Sequence, residues 1–138
     1  DRYVDSNSGW QASKIGDVEE RMRFYRWVRE LEHDELGLPR PDMTLFLDMD
    51  PAKARELSKK RKGNASAEDG NEDQHESNDE LLHGAYNAYK ELAALDSYGK
   101  DGSWITVPCS TDDVIHPIHH VHDDIVNYVM PMLIDHSV

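Results

Sequence analysis

At 138 residues, 38% of them hydrophobic, the chain has the length of one domain and enough apolar side chains for a lean core. Its formal charge of −13, from 15 Lys and Arg against 28 Asp and Glu, argues against nucleic acid or an anionic membrane as partner, because both are polyanions. The single cysteine, Cys109, has no internal disulfide partner, no apolar run reaches membrane-spanning length and no signal-peptide pattern leads the chain, so a reducing, cytoplasmic setting is expected.

The chain opens on DRYVDSNSGWQ, which reads as a polar loop carrying an Asp-Arg pair and an aromatic ring. A helix is predicted from about Asp17 to Leu36. Ile15, Val18, Met22, Tyr25, Val28 and Leu31 recur at helical spacing, Asp17 followed by Glu20 has the form of a capping box, and Gly37 and Pro39 stop the run. MTLFLDM, residues 43–49, is a short apolar run between Pro41 and Pro51; it reads as a strand buried on both faces, as in parallel sheets. Asp50 then suits an N-cap, Pro51 the first helical position and Gly63 the stop of the next helix.

Residues 64–78, NASAEDGNEDQHESN, are small, polar and acidic without apolar periodicity, so 63–78 is expected to be a mobile surface loop. A helix returns from Asp79 to about Leu95 on a stripe of Leu81, Leu82, Ala85, Tyr89 and Leu92. SWITVP, residues 103–108, reads as a second buried strand, and a last helix runs from Pro117 with Ile118, Val121, Ile125, Tyr128 or Val129, and Met132 on one side. Strands alternating with helices make the chain α/β. Two strands are too few for a parallel sheet to stand alone, so residues 1–138 read as a single partial domain, incomplete on its own.

Charge is the most informative local contrast. Lys53, Arg55, Lys59, Lys60, Arg61 and Lys62 form the one dense basic run of an acidic chain. Cations near a helix C-terminus are favourable by themselves; as chemistry, the same run suits a clamp on nucleotide phosphates. In the opening segment Arg2 can fork onto a monoester phosphate, and Ser6, Asn7 and Gln11 offer donors and acceptors beside the flat wall of Trp10. His116, His119, His120 and His122 have spacings that zinc can use, but a structural or surface role is the commoner use of such histidines.

Taken together these motifs resemble the thymidylate kinase family. DRYVDSNSGWQ is similar to its Asp-Arg-Tyr/His signature followed by Ser-Asn and Gln, and GLPRPDMTLFLDMDP to its Leu-Pro-x-Pro-Asp, apolar strand, Asp-x-x-Pro segment. DQHESNDELLHGAYNAYKELA looks like the exit of the family's lid, and PCSTDD with VHDDI like its final strand, adenine-side loop and closing helix. The likeness runs from residue 1 to about residue 130. It corresponds to the C-terminal half of a P-loop nucleoside monophosphate kinase fold, a parallel sheet flanked by helices, while the GxxxxGK[ST] phosphate loop of the other half is nowhere in this sequence.

The resemblance implies phosphoryl transfer from ATP to dTMP, giving dTDP, with Mg²⁺, and a need for the P-loop half; a homodimer is compatible with it. Arg2 matches the acceptor-phosphate arginine, and Asp1 the carboxylate beside the metal and the transferring phosphate. Ser6, Asn7, Trp10 and Gln11 match the dTMP side, Trp10 standing where Tyr or His is more usual. Arg55, Lys59 and Arg61 match the helix leading into the lid, Glu76 its exit, and Cys109 and Ser110 the loop flanking adenine. Alternatives are a related nucleoside monophosphate kinase, and a truncated, non-catalytic member serving as an interaction module.

Overall fold

A computed structural model describes residues 3–63, 72–95 and 103–135; the side chains of 59, 61–63, 72–78, 103 and 135 lie outside that description. The chain is α/β. Helix α1 (Val4–Ala12) precedes α2 (Val18–Arg29), which widens into a π-helical stretch, Glu30–Glu35. Strand β1 (Met43–Asp48) leads into α3 (Pro51–Gly63), α4 (Glu72–Ala94) and β2 (Ser103–Pro108). A short hairpin, β3 (Ser110–Thr111) with β4 (Val114–Ile115), and the closing helix α5 (Ile118–Asp135) complete the order. No helix among the described residues is long and apolar enough to cross a membrane.

Several sequence signals work as their chemistry requires. Asp17 caps α2, its Oδ1 accepting from the Glu20 amide at 2.8 Å. Gly37 ends that helical run in the left-handed region, at φ +67°, where a Cβ would be strained. Asp50 accepts from the Ala52 amide at 2.8 Å and starts α3, with Pro51 at its first position. β1 and β2 pair in parallel, Met43 opposite Ser103 through Asp48 opposite Pro108.

Three expectations need correction. The opening segment is a helix from Val4 and not a loop: VDSNSGWQA has good helix formers only in Gln11 and Ala12 at its end, yet Val4, Ser8, Gly9 and Ala12 fall on one side and are all buried. Their small volume lets α1 lie close on α4, and that packing overrides weak propensity. The stretch expected as a loop to residue 78 is helical from Glu72, although no apolar period announces it; acids such as Glu72 and Asp73 favour a helix N-terminus. Residues 64–71 of the expected mobile loop lie outside the described residues. Finally, β1 is not buried on both faces: Leu47 remains 47% exposed, because a two-stranded sheet covers little of its own surface.

The hairpin went unread in the sequence. Asp112 and Asp113 have φ of +46° and +66°, the paired left-handed conformation of a two-residue primed turn, which Asp tolerates better than most residues.

Ala12, Tyr25, Ala88 and Leu92 form the central cluster, with Met22, Phe24, Tyr89, Leu95 and Trp104 packed around it. An ionic fork ties α2 to α4 at its edge. Arg21 grips Glu91 through Nε at 3.0 Å and Nη2 at 3.2 Å, and the hydroxyl of buried Tyr25 donates to the same carboxylate at 2.9 Å. Burial raises the Glu91 pKa, but the hydrogen bonds from Arg21 and Tyr25 outweigh it and hold the group below its usual 4.5. A carboxylate depressed in the fold stabilises it fully above its unfolded pKa, near 4.5 here, and that contribution is lost as pH falls through the folded value. Glu91→Gln should therefore cost about 1–3 kcal/mol at pH 7 and flatten the acid limb of stability. Thermal melts from pH 7 to pH 3 measure both, and an unchanged acid limb would assign acid sensitivity to other carboxylates.

Candidate functional site

In open α/β sheets the carboxyl ends of the strands gather turns, helix starts and ligands. Here the two strands end level, and the chain leaves β1 through Asp50 into α3 and β2 through Cys109 into the hairpin. Asp48 is the centre of that end. Its carboxylate accepts from the Tyr86 hydroxyl of α4 at 2.7 Å, and its backbone carbonyl accepts from the Cys109 amide at 2.9 Å. Burial, then the Asp48 hydrogen bond and the charges of Asp48 and Asp50, push the Tyr86 phenol up to about 12, so it stays a protonated donor at neutral pH. Lys90 Nζ stands 5.4 Å over the ring of Tyr86.

Two cations of α3 are paired with acids of other elements. Lys53 Nζ lies 3.0 Å from Asp113 Oδ1 at the hairpin tip. Arg55, farther along the helix, forms an ion pair with Asp79 of α4. Each cation is thus held by an acid from a different element.

A second surface lies on α1. Its buried side faces α4 and α2, which leaves the i, i+1, i+4, i+5 set of Ser6, Asn7, Trp10 and Gln11 along the opposite side. Asn7 and Gln11 are exposed, Ser6 and Trp10 half-buried. Asn7 donates to Glu32 Oε1 at 3.3 Å, in the π-helical stretch, and Gln11 accepts from Lys14 at 3.0 Å. At the start of α1, Asp5 accepts from Thr44 of β1 at 2.9 Å, and burial raises its pKa.

The residues anticipated from sequence therefore fall into groups. Ser6, Asn7, Trp10 and Gln11 share one helix face. Arg55 lies on the second turn of α3, the helix that follows β1, and Cys109 and Ser110 directly follow β2. Cys109 is 5% exposed. Lys59 and Arg61 lie on α3 and Glu76 on α4, with side chains outside the described set, and Asp1 and Arg2 precede the described residues. Asp48, Tyr86 and Asp79 were not anticipated. The signal for Asp48 was its place as the last residue of a parallel strand; Tyr86 and Asp79 reach their partners only through the tertiary fold. No group of three or more His, Cys, Asp or Glu side chains that could hold a metal ion occurs among the described residues. His119, His120 and His122 are exposed on α5.

Comparison with known proteins gives one line of kinship. No family model matches the chain. Two thymidylate kinases of Mycobacterium tuberculosis, from strains CDC 1551 and H37Rv, are each 33% identical to it over 113 residues, which is 81% of this chain and 50% of each relative. The chain spans about half the length of the curated relatives it matches.

The lone thiol offers a direct check on the carboxyl end of the sheet. Burial, and secondarily the charge of Asp48, raise the Cys109 pKa above its usual value, and both oppose the reactive thiolate. At pH 8 the folded chain should react with a disulfide reagent at least about tenfold more slowly than the urea-unfolded chain. Equal rates would show that the turn after β2 is open.

Proposed function

We propose that this chain, similar to thymidylate kinases over 81% of its length, supplies the acceptor side and the helices leading to and from the lid of a dTMP kinase, which transfers the γ-phosphoryl group of ATP to dTMP. The match to two thymidylate kinases over 81% of the chain carries this reading. The geometry supports it. The four side chains proposed to meet the nucleoside share the side of α1 turned away from the core, and the basic helix α3 starts at the carboxyl end of the parallel strands.

Phosphoryl transfer leaves little covalent work to the protein; catalysis is positioning plus neutralisation of charge on the transferring group. In this assignment Arg2 forks onto the acceptor phosphate, with Asp1 beside it. Asn7 and Trp10 line the sugar, Gln11 reads the base and Ser6 lies alongside. Arg55, Lys59 and Arg61 meet the donor phosphates, Glu76 sits at the lid's exit, and Cys109 and Ser110 flank the adenine. Mg²⁺ would accompany the phosphates of ATP and adds charge neutralisation there. The rest of the site falls to a P-loop segment of the kind GxxxxGK[ST], which these 138 residues do not contain.

This 138-residue chain alone should give no dTMP-dependent ADP release in a coupled assay, whereas a form carrying GxxxxGK[ST] ahead of Asp1 should turn over. Turnover by the chain alone, or none by the extended form, would contradict the assignment and, in the latter case, favour a non-catalytic interaction module. In the extended form, Arg2→Ala should lower kcat/KM for dTMP by roughly 30-fold, the equivalent of about 2 kcal/mol for a charge-assisted contact to phosphate. Unchanged kinetics would make Arg2 structural.

A further inference from the structure

The cations of α3 are already partnered. Arg55 pairs with Asp79, their side chains 32% and 36% exposed, and Lys53 pairs with Asp113, whose side chain is 98% exposed. Neither acid belongs to the helix that carries the cation, and both pairs can be reached from solvent. We propose that Asp79 is an internal competitor for the phosphate-binding guanidinium of Arg55, with Asp113 doing the same for Lys53, so that a phosphorylated ligand binds α3 by exchanging places with a carboxylate. This rests on the reading of Arg55 as a phosphate ligand.

The exchange has a chemical consequence. A carboxylate offers one negative charge and two oxygens, whereas a terminal phosphate offers three oxygens and more charge, and a guanidinium takes either in a bidentate fork. Only an anion that outbids a tethered carboxylate displaces it. The pairs therefore set a threshold that polyphosphates, such as the tail of a nucleoside triphosphate, pass and simple monovalent anions do not. Exposed ion pairs contribute up to about 1 kcal/mol, so the threshold is a few-fold effect on affinity and not a block.

The experiment is calorimetric titration of the 138-residue chain with inorganic tripolyphosphate at low ionic strength, where screening is least. Asp79→Asn keeps the shape of the side chain and removes its charge; it should bind tripolyphosphate about three- to fivefold more tightly than the native chain. Asp79→Asn with Asp113→Asn should bind more tightly still, by about tenfold. Glu19→Gln, in the first turn of α2, changes net charge equally and should leave affinity unchanged. Arg55→Gln should weaken binding by the native chain and cancel the gain from Asp79→Asn. Circular dichroism melts confirm that each variant is folded, and Asp79→Ser replaces Asp79→Asn if that variant is not.

Should Asp79→Asn bind no more tightly while Arg55→Gln still weakens binding, Arg55 is a phosphate ligand and the competition is refuted. If Arg55→Gln changes nothing in either background, the phosphate assignment of Arg55 fails and the competition fails with it. An equal gain from Glu19→Gln would reduce the effect to overall charge and overturn the proposal, as would undetectable binding by both the native chain and Asp79→Asn.

Discussion

The ring of Tyr89 sets the geometry on which both candidate surfaces depend. It lies between two elements. On one side it stacks on Phe46 of β1, ring centroids 6.0 Å apart and planes 23° from parallel. On the other it fills the space where any side chain at position 9 would stand: a Cβ built on Gly9 would come within 2.9 Å of Tyr89 Cδ1 and closer still to Cε1 and Cζ. Its hydroxyl donates to the Ser6 carbonyl at 3.4 Å. One side chain of α4 thereby fixes how far α1 stands from the sheet, and with it where the stripe of Ser6, Asn7, Trp10 and Gln11 lies relative to the strand ends. Glycine at position 9 follows from this contact and owes nothing to an unusual backbone angle.

Around that contact the chain makes up for a small core with polar ties between elements. The residues buried at the centre are few, and two of the four are alanine. Arg21 and Tyr25 both bond Glu91, Thr44 bonds Asp5, and Tyr86 bonds Asp48, so α2–α4, α1–β1 and α4–β1 are each tied by a side-chain pair. Such ties fix register more than they add stability, since each exchanges bonds to water for bonds within the protein. Leu47, and Met130, Leu133 and Ile134 of α5, remain substantially exposed. On a two-stranded sheet such exposure follows from size, since so small a sheet covers little of its own surface.

What was legible in the sequence follows from how local each signal is. Asp17, Asp50, Pro51 and Gly37 act on their own backbone within a turn, and the structure uses each as read. The strands were legible because short apolar runs between prolines and polar segments leave few other readings. Helix α1 was not, because Ser-Asn-Ser-Gly becomes helical only when Tyr89 and its neighbours supply the packing. The same limit governs the sites. The stripe on α1 could be named residue by residue from its motif, yet its status as one helix face depended on a helix the sequence did not announce. Asp48 with Tyr86 and Arg55 with Asp79 join residues 38 and 24 positions apart. No periodicity encodes such pairs.

The charge balance gains a sense from these pairings. A chain at −13 repels phosphorylated ligands at long range, so attraction has to be concentrated where cations cluster, along α3. Unshielded, such a cluster would draw in any acidic segment of the same chain, and 28 Asp and Glu side chains offer many. Holding Lys53 and Arg55 on designated acids from the hairpin and α4 fixes the two cations in place and ties α3 to both elements. In the proposed exchange the partners that position the cations are the ones a ligand displaces, which would set local order and ligand affinity on this surface against each other through the same two carboxylates.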